Sequence, residues 1–469
     1  MKIYINYTLV LLLLILSSCS LTKNILPPIK DIPKTFRNIL DGDTSSIGKL
    51  PVNEFFGTAT LRNLIDSALI RNLDMQIALK NIDAAALLLK RAKLGNFPEI
   101  NLQFTATSNR PSDNSLNGLS ASQLLKTTHI ADFNSNLSLS WEADIWGKIR
   151  LQKDAAYAGY LQSAEAKKAV QTQIVSAIAN GFYRLLMLDA QLQVAQKNVA
   201  LNKNTLEMIK MQFDAGQVTS LAVQQAEAQL LRATQFIPQL NQEITIQENA
   251  ISALTGTFPT AIQRAITLDQ LAIPEQLATG VPATMLNIRP DVKGVELGLT
   301  IANAKVGIAN ARLYPSLVIS ASGGLNAFKA SSWFNIPASL FGVVGGGITQ
   351  PIFQRGALKT QFELAKIERD QSVLRFRQVV IAAVVEVSNE QAKLVNLKNE
   401  YGIAQQRVKT LQLAVKNSDL LFKSGMANYL EVITAQGNLL QGELDVTSLK
   451  TAQLTASVGL YRALGGGWQ

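Results

Sequence analysis

Cysteine and histidine each occur once in this 469-residue sequence, and aromatic residues make up only 6% of it. A single cysteine, Cys19, excludes a disulfide within the chain. A single histidine, His129, with no second histidine or cysteine to join it, excludes a zinc centre of the usual nitrogen and sulfur ligands. There is no glycine-rich phosphate loop, no nucleophile elbow and no paired-histidine zinc motif, so no catalytic residue, metal site or cofactor is expected. The net charge is +10, but lysines and arginines are scattered among Glu, Asp and Gln, and no basic run is interleaved with aromatics. That pattern argues against a nucleic-acid partner. No run of 18 or more apolar residues occurs, so a membrane-spanning helix is excluded, and any membrane crossing must use β-strands.

What is present begins at the first residues. Lys2 supplies a positive charge, and Leu9 to Leu16 is an unbroken apolar run. The run is far short of the roughly 20 residues a spanning helix needs, and it fits the core of a signal peptide over residues 1–18. Leu16-Ser17-Ser18-Cys19 resembles a bacterial lipobox, in which the cysteine is acylated and becomes the first residue of the mature chain. The alternative is an ordinary signal peptide that happens to contain a cysteine. Ser20 rather than Asp follows Cys19, which by resemblance to known lipoproteins points to the outer membrane. Several acyl chains on one residue anchor more firmly than one.

The rest of the chain is written twice. Asn96-Phe97-Pro98-Glu99 matches Leu313-Tyr314-Pro315-Ser316 at an offset of 217 residues, and Ile145-Trp146 matches Ile352-Phe353 at 207. Phe213-Asp214-Ala215-Gly216 matches Phe422-Lys423-Ser424-Gly425 at 209, and Ala253-Leu254 matches Ala463-Leu464 at 210. The change from 217 to 207 locates a variable loop between Pro98 and Trp146. The repeats are assigned to 60–256 and 284–469, with 19–59 before them and a linker over 257–283.

Each repeat reads as helix, strand pair and long helical hairpin. The opening helices are expected at about 60–95 and 284–312, each stopped by a proline, Pro98 or Pro315. Strand pairs are expected over about 97–146 and 314–353. Leu102, Phe104 and Ala106 alternate with polar residues, as do Leu137, Leu139 and Trp141, then Leu317, Ile319 and Ala321. The return strand of the second pair is glycine-rich, running through Gly342, Gly345 and Gly347 to Ile348, Gln350 and Ile352. One apolar and one polar face in segments near ten residues is the pattern of a transmembrane barrel strand, and equally of a soluble hairpin with one buried face.

The stretch from Gly147 to Phe213 holds no proline, and as one helix it would reach on the order of 100 Å. Positions 178, 185, 192, 199, 206 and 213 hold Ile, Leu, Leu, Val, Leu and Phe. Positions 380, 387, 394, 401, 408, 415 and 422 hold Val, Val, Leu, Tyr, Val, Val and Phe. An apolar residue every seven positions is a coiled-coil seam. Gly216 and Gly425 stop the two stretches and give hairpin tips. Pro238 is expected to interrupt the first returning helix and to kink it.

With these pieces the chain resembles the TolC-type outer-membrane efflux channels, in the lipoprotein (NodT-like) branch that serves resistance-nodulation-division pumps. The carriers are RPDVKGVELGLTIANAKVGIANARLYPSL at 289–317, ITQPIFQRGALK at 348–359, SGMANYLEVITAQGNLL at 424–440 and the ending LYRALGGGW at 460–468. WEADIWGKIR at 141–150 and DAGQVTSLAVQQAEAQLL at 214–231 are the first-half counterparts. The resemblance covers nearly the whole mature chain. It implies a mainly α fold with β: a homotrimer whose 12-stranded outer-membrane β-barrel, four strands per subunit, continues into a long periplasmic α-helical barrel. An equatorial region would come from the linker and the chain ends. The implied partners are a periplasmic membrane-fusion adaptor, an inner-membrane resistance-nodulation-division transporter and outer-membrane lipid.

The resemblance also implies that the hairpin tips close the periplasmic end and meet the adaptor, which assigns Phe213, Gly216, Phe422 and Gly425 to that role. Family members often carry an acid six residues after each tip glycine. Here Gly425 is followed by Glu431, but Gly216 by Ala222. Three copies of Glu431 would ring an aperture with negative charge; the alternative is a solvated helix position. Trp141, Trp146 and Phe353 lie at strand–helix junctions, as an interfacial aromatic belt or as ordinary packing. The function expected is a passive exit duct for small molecules or metal ions. A pore-free periplasmic coiled-coil lipoprotein and a protein-secretion duct are the alternatives.

Overall fold

The computed structural model describes residues 33, 35–36, 46–273 and 277–469. The signal peptide and Cys19 lie outside the described residues. The chain is mainly α-helical with one four-stranded sheet, and none of the described helices is long and apolar enough to cross a membrane. Two compact units form, and each draws on both halves of the sequence. One holds 84–161 and 297–374; the other holds the described residues of 28–83 with 162–296 and 375–469.

The duplication is visible in helix lengths. Helix α1 is Ala59–Arg71 and α2 is Leu73–Leu94. After strands β1 (Glu99–Asn109) and β2 (Ile130–Ala143) come α3 (Lys148–Asp214) and α4 (Ser220–Leu254). The second half repeats this with α5 (Pro282–Ile288), α6 (Pro290–Ala311), β3 (Ser316–Ala327), β4 (Leu340–Thr349), α7 (Ala357–Lys423) and α8 (Tyr429–Ala463). Helices α3 and α7 both have 67 residues, α4 and α8 both 35, and α2 and α6 both 22. The loop between β1 and β2 spans 110–129, against 328–339 between β3 and β4.

Three expectations need correction. The opening helices do not run unbroken over 60–95 and 284–312: Asn72 and Arg289 are extended, with ψ 133° and 119°. Arg289 precedes Pro290, whose ring disfavours the helical region for the residue before it. Asn72 is held out by its own side chain, whose Oδ1 accepts from the Met75 N–H at 3.1 Å. Second, α3 and α7 each follow a glycine of positive φ, Gly147 at 70° and Gly356 at 76°. These fix the offset there at that of the long helices, so Trp146 corresponds to Arg355 and not to Phe353. Third, β4 ends at Thr349, leaving Gln350 and Ile352 beyond it. Pro238 lies inside α4, which continues past it to Leu254.

In the first unit the strands lie in the order β1-β2-β3-β4, all antiparallel. Partners in the ladder share a face. Leu102 faces Leu137, Leu139 faces Ala321, and Ala321 faces Val344, which gives one apolar face across all four strands. Asn101 faces Ser138, Ser138 faces Ser322, and Asn134 faces Asn326, which gives a polar one. Neither face of β1 is covered within the chain, and Ile100, Leu102 and Phe104 are exposed. At the end of the sheet the Trp146 and Tyr314 rings meet at a tilt of 30° with centroids 4.9 Å apart, and Trp146 donates from Nε1 to the Pro315 carbonyl at 2.7 Å.

In the second unit the core forms around the middle of α3, where Ile178, Phe182, Leu185 and Leu186 are fully buried with Val387, Val458 and Tyr461. Along the two seams every position is buried or half-buried except Phe213. The segment Ile47–Lys49 meets the linker, with Ile47 N–H donating to the Ala278 carbonyl at 2.9 Å. Tyr461 reaches the same segment, donating to the Leu50 carbonyl at 2.7 Å, and burial pushes its hydroxyl up to about 12.

The two helix breaks play matching roles. Asn72 Nδ2 donates to the Leu254 carbonyl at 2.9 Å, at the end of α4. Arg289 Nη1 donates to the Ala463 carbonyl at 2.7 Å, at the end of α8. Each break thus ties down an orphan carbonyl at the end of its own repeat. Arg289 adds charge: its guanidinium lies 2.8 Å from both Asp291 and Glu386, and Arg462 lies 2.6 Å from Glu386. Burial works against the ionised Asp291 carboxyl, yet hydrogen bonds and charge from Arg289 hold it below the usual carboxylate range.

Candidate functional site: the paired hairpin tips

The two tips are built the same way. Gly216 and Gly425 have φ of 72° and 75°, the left-handed conformation that ends a helix. Gln217 N–H donates to the Gln212 carbonyl at 2.8 Å, and Met426 N–H to the Leu421 carbonyl at 2.8 Å, the six-residue bond of a Schellman cap. A Cβ at either glycine would meet nothing within 4 Å, so glycine is needed for its φ alone and both tips are open. The restarts differ. Asn428 caps α8 by accepting from Leu430 N–H at 2.9 Å and Glu431 N–H at 3.2 Å, whereas Thr219 makes no side-chain cap for α4.

The tips are brought together by a small apolar cluster separate from the main core. Leu206, Ile209, Ala222 and Ala226 of the first hairpin join Phe422 and Val432 of the second. Phe422 is 4% exposed and sits inside this cluster, while its repeat partner Phe213 is 43% exposed and lies outside it. Gly216, Gly425 and Glu431 are at the surface. Of the four residues assigned to adaptor contact, only Phe422 is enclosed in packing; Glu431, assigned to the aperture charge, is exposed.

The missing acid also has a place in the packing. Ala222 is 0% exposed, in the middle of the cluster, where a carboxylate would be buried without a partner. Its counterpart Glu431 lies in the first turn of α8, where the helix dipole favours an anion.

A polar layer that the seam pattern passed over divides the tip cluster from the main core. Asn198, Asn202, Thr205 and Gln436 are all buried. Asn202 Nδ2 donates to Asn198 Oδ1 at 2.7 Å, Asn198 Nδ2 to the Gln436 carbonyl at 3.3 Å, and Gln436 Nε2 to Thr205 Oγ1 at 2.8 Å. The signal was present: Asn198, Asn202 and Thr205 lie at i, i+4 and i+7, one face of a helix. His129 lies in the β1–β2 loop beside Thr128, and among the described residues no cluster of three His, Cys, Asp or Glu side chains could hold a metal. Trp141 donates from Nε1 to the Asn96 carbonyl at 2.8 Å, and Phe353 is exposed.

Comparison with known proteins gives this geometry its context. The family profile described as "Outer membrane efflux protein" matches residues 64–257 and 281–466. The chain is 26% identical over 459 residues to the cation efflux system protein CusC of Escherichia coli O6:H1, covering 97% of each. It is 28% identical over 470 residues to the pyoverdine export outer membrane protein OpmQ of Pseudomonas aeruginosa, covering 99% of this chain and 97% of that one. Among solved structures, the open state of the Neisseria gonorrhoeae MtrE outer membrane channel superposes with a TM-score of 0.85 at 22% identity, covering 96% and 99%. Two sequence-repeated halves, paired hairpin tips and a four-stranded sheet fall within those matched spans, and the chain belongs to the outer membrane efflux protein family.

Proposed function

We propose that three copies of this chain form the exit duct of a tripartite efflux pump. The observation that carries the proposal is the sheet. Its apolar face is uncovered, and β1 and β4 leave unpaired edges of 11 and 10 residues. In lipid each unpaired backbone group costs several kcal/mol, so four strands cannot remain open there. Joining β4 of one copy to β1 of the next removes every edge, and three copies give a barrel of 12 strands.

The long helices support the same closure. Ile367, Leu374, Ile381 and Val395 form an exposed stripe along α7, whereas the matching positions Ala158, Thr172 and Leu186 of α3 are buried within the chain. The chain buries on α3 what it leaves exposed on α7, and a second copy would cover that stripe.

In this duct the polar face lines the lumen and the tips face the periplasm. Phe213, Gly216 and Gly425 contact the membrane-fusion adaptor, Phe422 packs the cluster that holds the two tips together in place of a direct contact, and Glu431 sets the charge of the aperture. Cys19 carries the lipid anchor, in keeping with the relative SilC, a probable outer membrane lipoprotein of Salmonella typhimurium. An inner-membrane resistance-nodulation-division transporter supplies the energy. The passengers are cations or small molecules, since the relatives serve cation efflux and pyoverdine export.

The test is cysteine cross-linking. The protein's only cysteine is Cys19, so Gln103→Cys in β1 can be paired with single cysteines scanned along β4. Cross-linked trimers at one register are expected; monomers throughout, from protein correctly inserted in the outer membrane, would refute the closure. Loss of the gene is expected to raise sensitivity to at least one cation or small toxic compound.

A further inference from the structure

We infer that the boundary between the strands and the helices is a docking surface for anionic phospholipid headgroups, formed by Lys90, Arg91 and Lys93 at the end of α2 and by Arg355 and Lys359 at the start of α7. The inference rests on the membrane reading above and adds which lipid that boundary recruits.

The first observation is position. Trp141 belongs to the apolar face of the sheet, in register with Ile319, and its indole N–H donates to the Asn96 carbonyl at 2.8 Å. That bond holds the α2–β1 connection against the face that must meet acyl chains. Leu94 and Phe97 in this connection are exposed, directly after the three cations. At the other edge Ile348 continues the apolar face of β4, and Ile352 and Phe353 beyond it are 89% and 84% exposed. Large apolar side chains left uncovered next to lysine and arginine are what an interfacial segment presents to a bilayer, with the apolar part at acyl depth and the cation at the headgroups.

The second observation is charge without a partner. All five cations are exposed, and none has a side-chain ion pair or hydrogen bond among the described residues. Neighbouring Lys148, by contrast, lies 2.6 Å from Glu142. At the end of α2 the helix dipole accounts for Arg91 and Lys93. It cannot account for Lys359, in the first turn of α7, where the dipole repels a cation and no acid is present. An anion outside the chain remains, in the bilayer or on the neighbouring copy, and continuity with the lipid-facing sheet favours the phospholipid headgroup; a lipid preference that salt weakens separates the two.

The experiment uses the purified full chain in neutral detergent with equal phosphatidylglycerol and phosphatidylcholine. Lipid retained by the protein is counted by mass spectrometry at low and high salt. Wild type is expected to prefer phosphatidylglycerol, less so as salt screens the charges. K90Q/R91Q/K93Q is expected to lose that preference on the order of 100-fold, at roughly fivefold per cation. K197Q/K203Q/K210Q removes three exposed charges from the distant part of α3 and is expected to keep it. Should the first variant not assemble, R355Q/K359Q gives the same readout. A wild type without preference, a K90Q/R91Q/K93Q protein that retains it, or an equal loss in K197Q/K203Q/K210Q overturns the inference. Conductance in planar bilayers is read in parallel. A conducting protein with no lipid preference overturns only this inference, whereas a protein that neither inserts nor conducts overturns the duct reading itself.

Discussion

Replacing Arg289 by alanine should cost more stability than replacing Asn72, although the two occupy the same place in the two repeats. The magnitude follows from what each removal leaves behind. Arg289→Ala strands the buried Ala463 carbonyl, which costs about 1–3 kcal/mol. It also unpairs two carboxylates, and breaking a buried ion pair costs about 3–5 kcal/mol. That figure must be reduced here. The Asp291 side chain is 46% exposed and can rehydrate, and Glu386 keeps Arg462 at 2.6 Å. The expected loss is therefore about 3 kcal/mol, most of it from the carbonyl and from a partly buried Glu386. Asn72→Ala loses a helix cap of about 1 kcal/mol and the bond to the half-buried Leu254 carbonyl, about 1–2 kcal/mol together.

Guanidinium unfolding followed by helical circular dichroism measures both, with unfolding rates compared where refolding is incomplete. An Asn72→Ala loss equal to or above that of Arg289→Ala would refute the reasoning, because charge would then add nothing to the second break. The pH dependence provides a second check. Asp291 has a folded-state pKa below its unfolded value, so its contribution is present above pH ~4 and is lost as pH falls through the lower folded value. Arg289→Ala should flatten stability against pH in that acid range and leave the neutral range parallel to wild type.

Other positions give shorter tests. Gly216→Ala and Gly425→Ala should each cost about 1 kcal/mol through positive φ alone, with asparagine tolerated better, as read by thermal melting and protease nicking at the tips. Ala222→Glu should open the tip cluster, by about 2 kcal/mol or more for a buried unpaired carboxylate, whereas Glu431→Ala should cost only a few tenths of a kcal/mol; limited proteolysis within 206–232 separates the two. Tyr461, pushed up to about 12 by burial, stabilises the fold fully below its unfolded value near pH 10 and loses that contribution as pH rises toward 12. Absorbance titration at high pH should show Tyr461 ionising only with unfolding, and Tyr461→Phe should shrink that late step to the part contributed by Tyr183, which burial also pushes up to about 12.

The seams, the tip glycines and the strand faces were legible because each repeats with a fixed period or recurs in both halves. The helix breaks were less so. Pro290 announces one through its effect on Arg289, whereas Asn72 offers only the weaker signal of an N-cap residue, its side chain accepting from the Met75 N–H. A tertiary bond to the Leu254 carbonyl reinforces that break, and no sequence pattern announces it. The match of Trp146 with Phe353 failed because aromatic character was weighed above backbone need, and the positive φ of Gly147 and Gly356 is the better landmark. The difference between Phe213 and Phe422 could not be read at all, since both stand at the same heptad position and only the packing of one hairpin on the other distinguishes them.

The pattern of what the repeats keep and what they lose carries its own meaning. Helix lengths, tip glycines and seam positions are shared, and these depend on local geometry that both copies meet alike. The differences fall where the surroundings differ. Phe422 is enclosed and Phe213 open; Ala222 is enclosed and Glu431 open; Leu186 is enclosed and Val395 open. The enclosed member belongs to the second half in the first pair and to the first half in the other two, so neither repeat is simply the inner one. Within one chain α3 buries many more of its side chains than α7 does, and a lone copy leaves apolar surface along α7 uncovered. A duplicated chain that had settled as a self-contained fold would have no reason to keep that stripe apolar. An uncovered apolar stripe marks an interaction surface, and the proposed closure with a further copy is what would cover it.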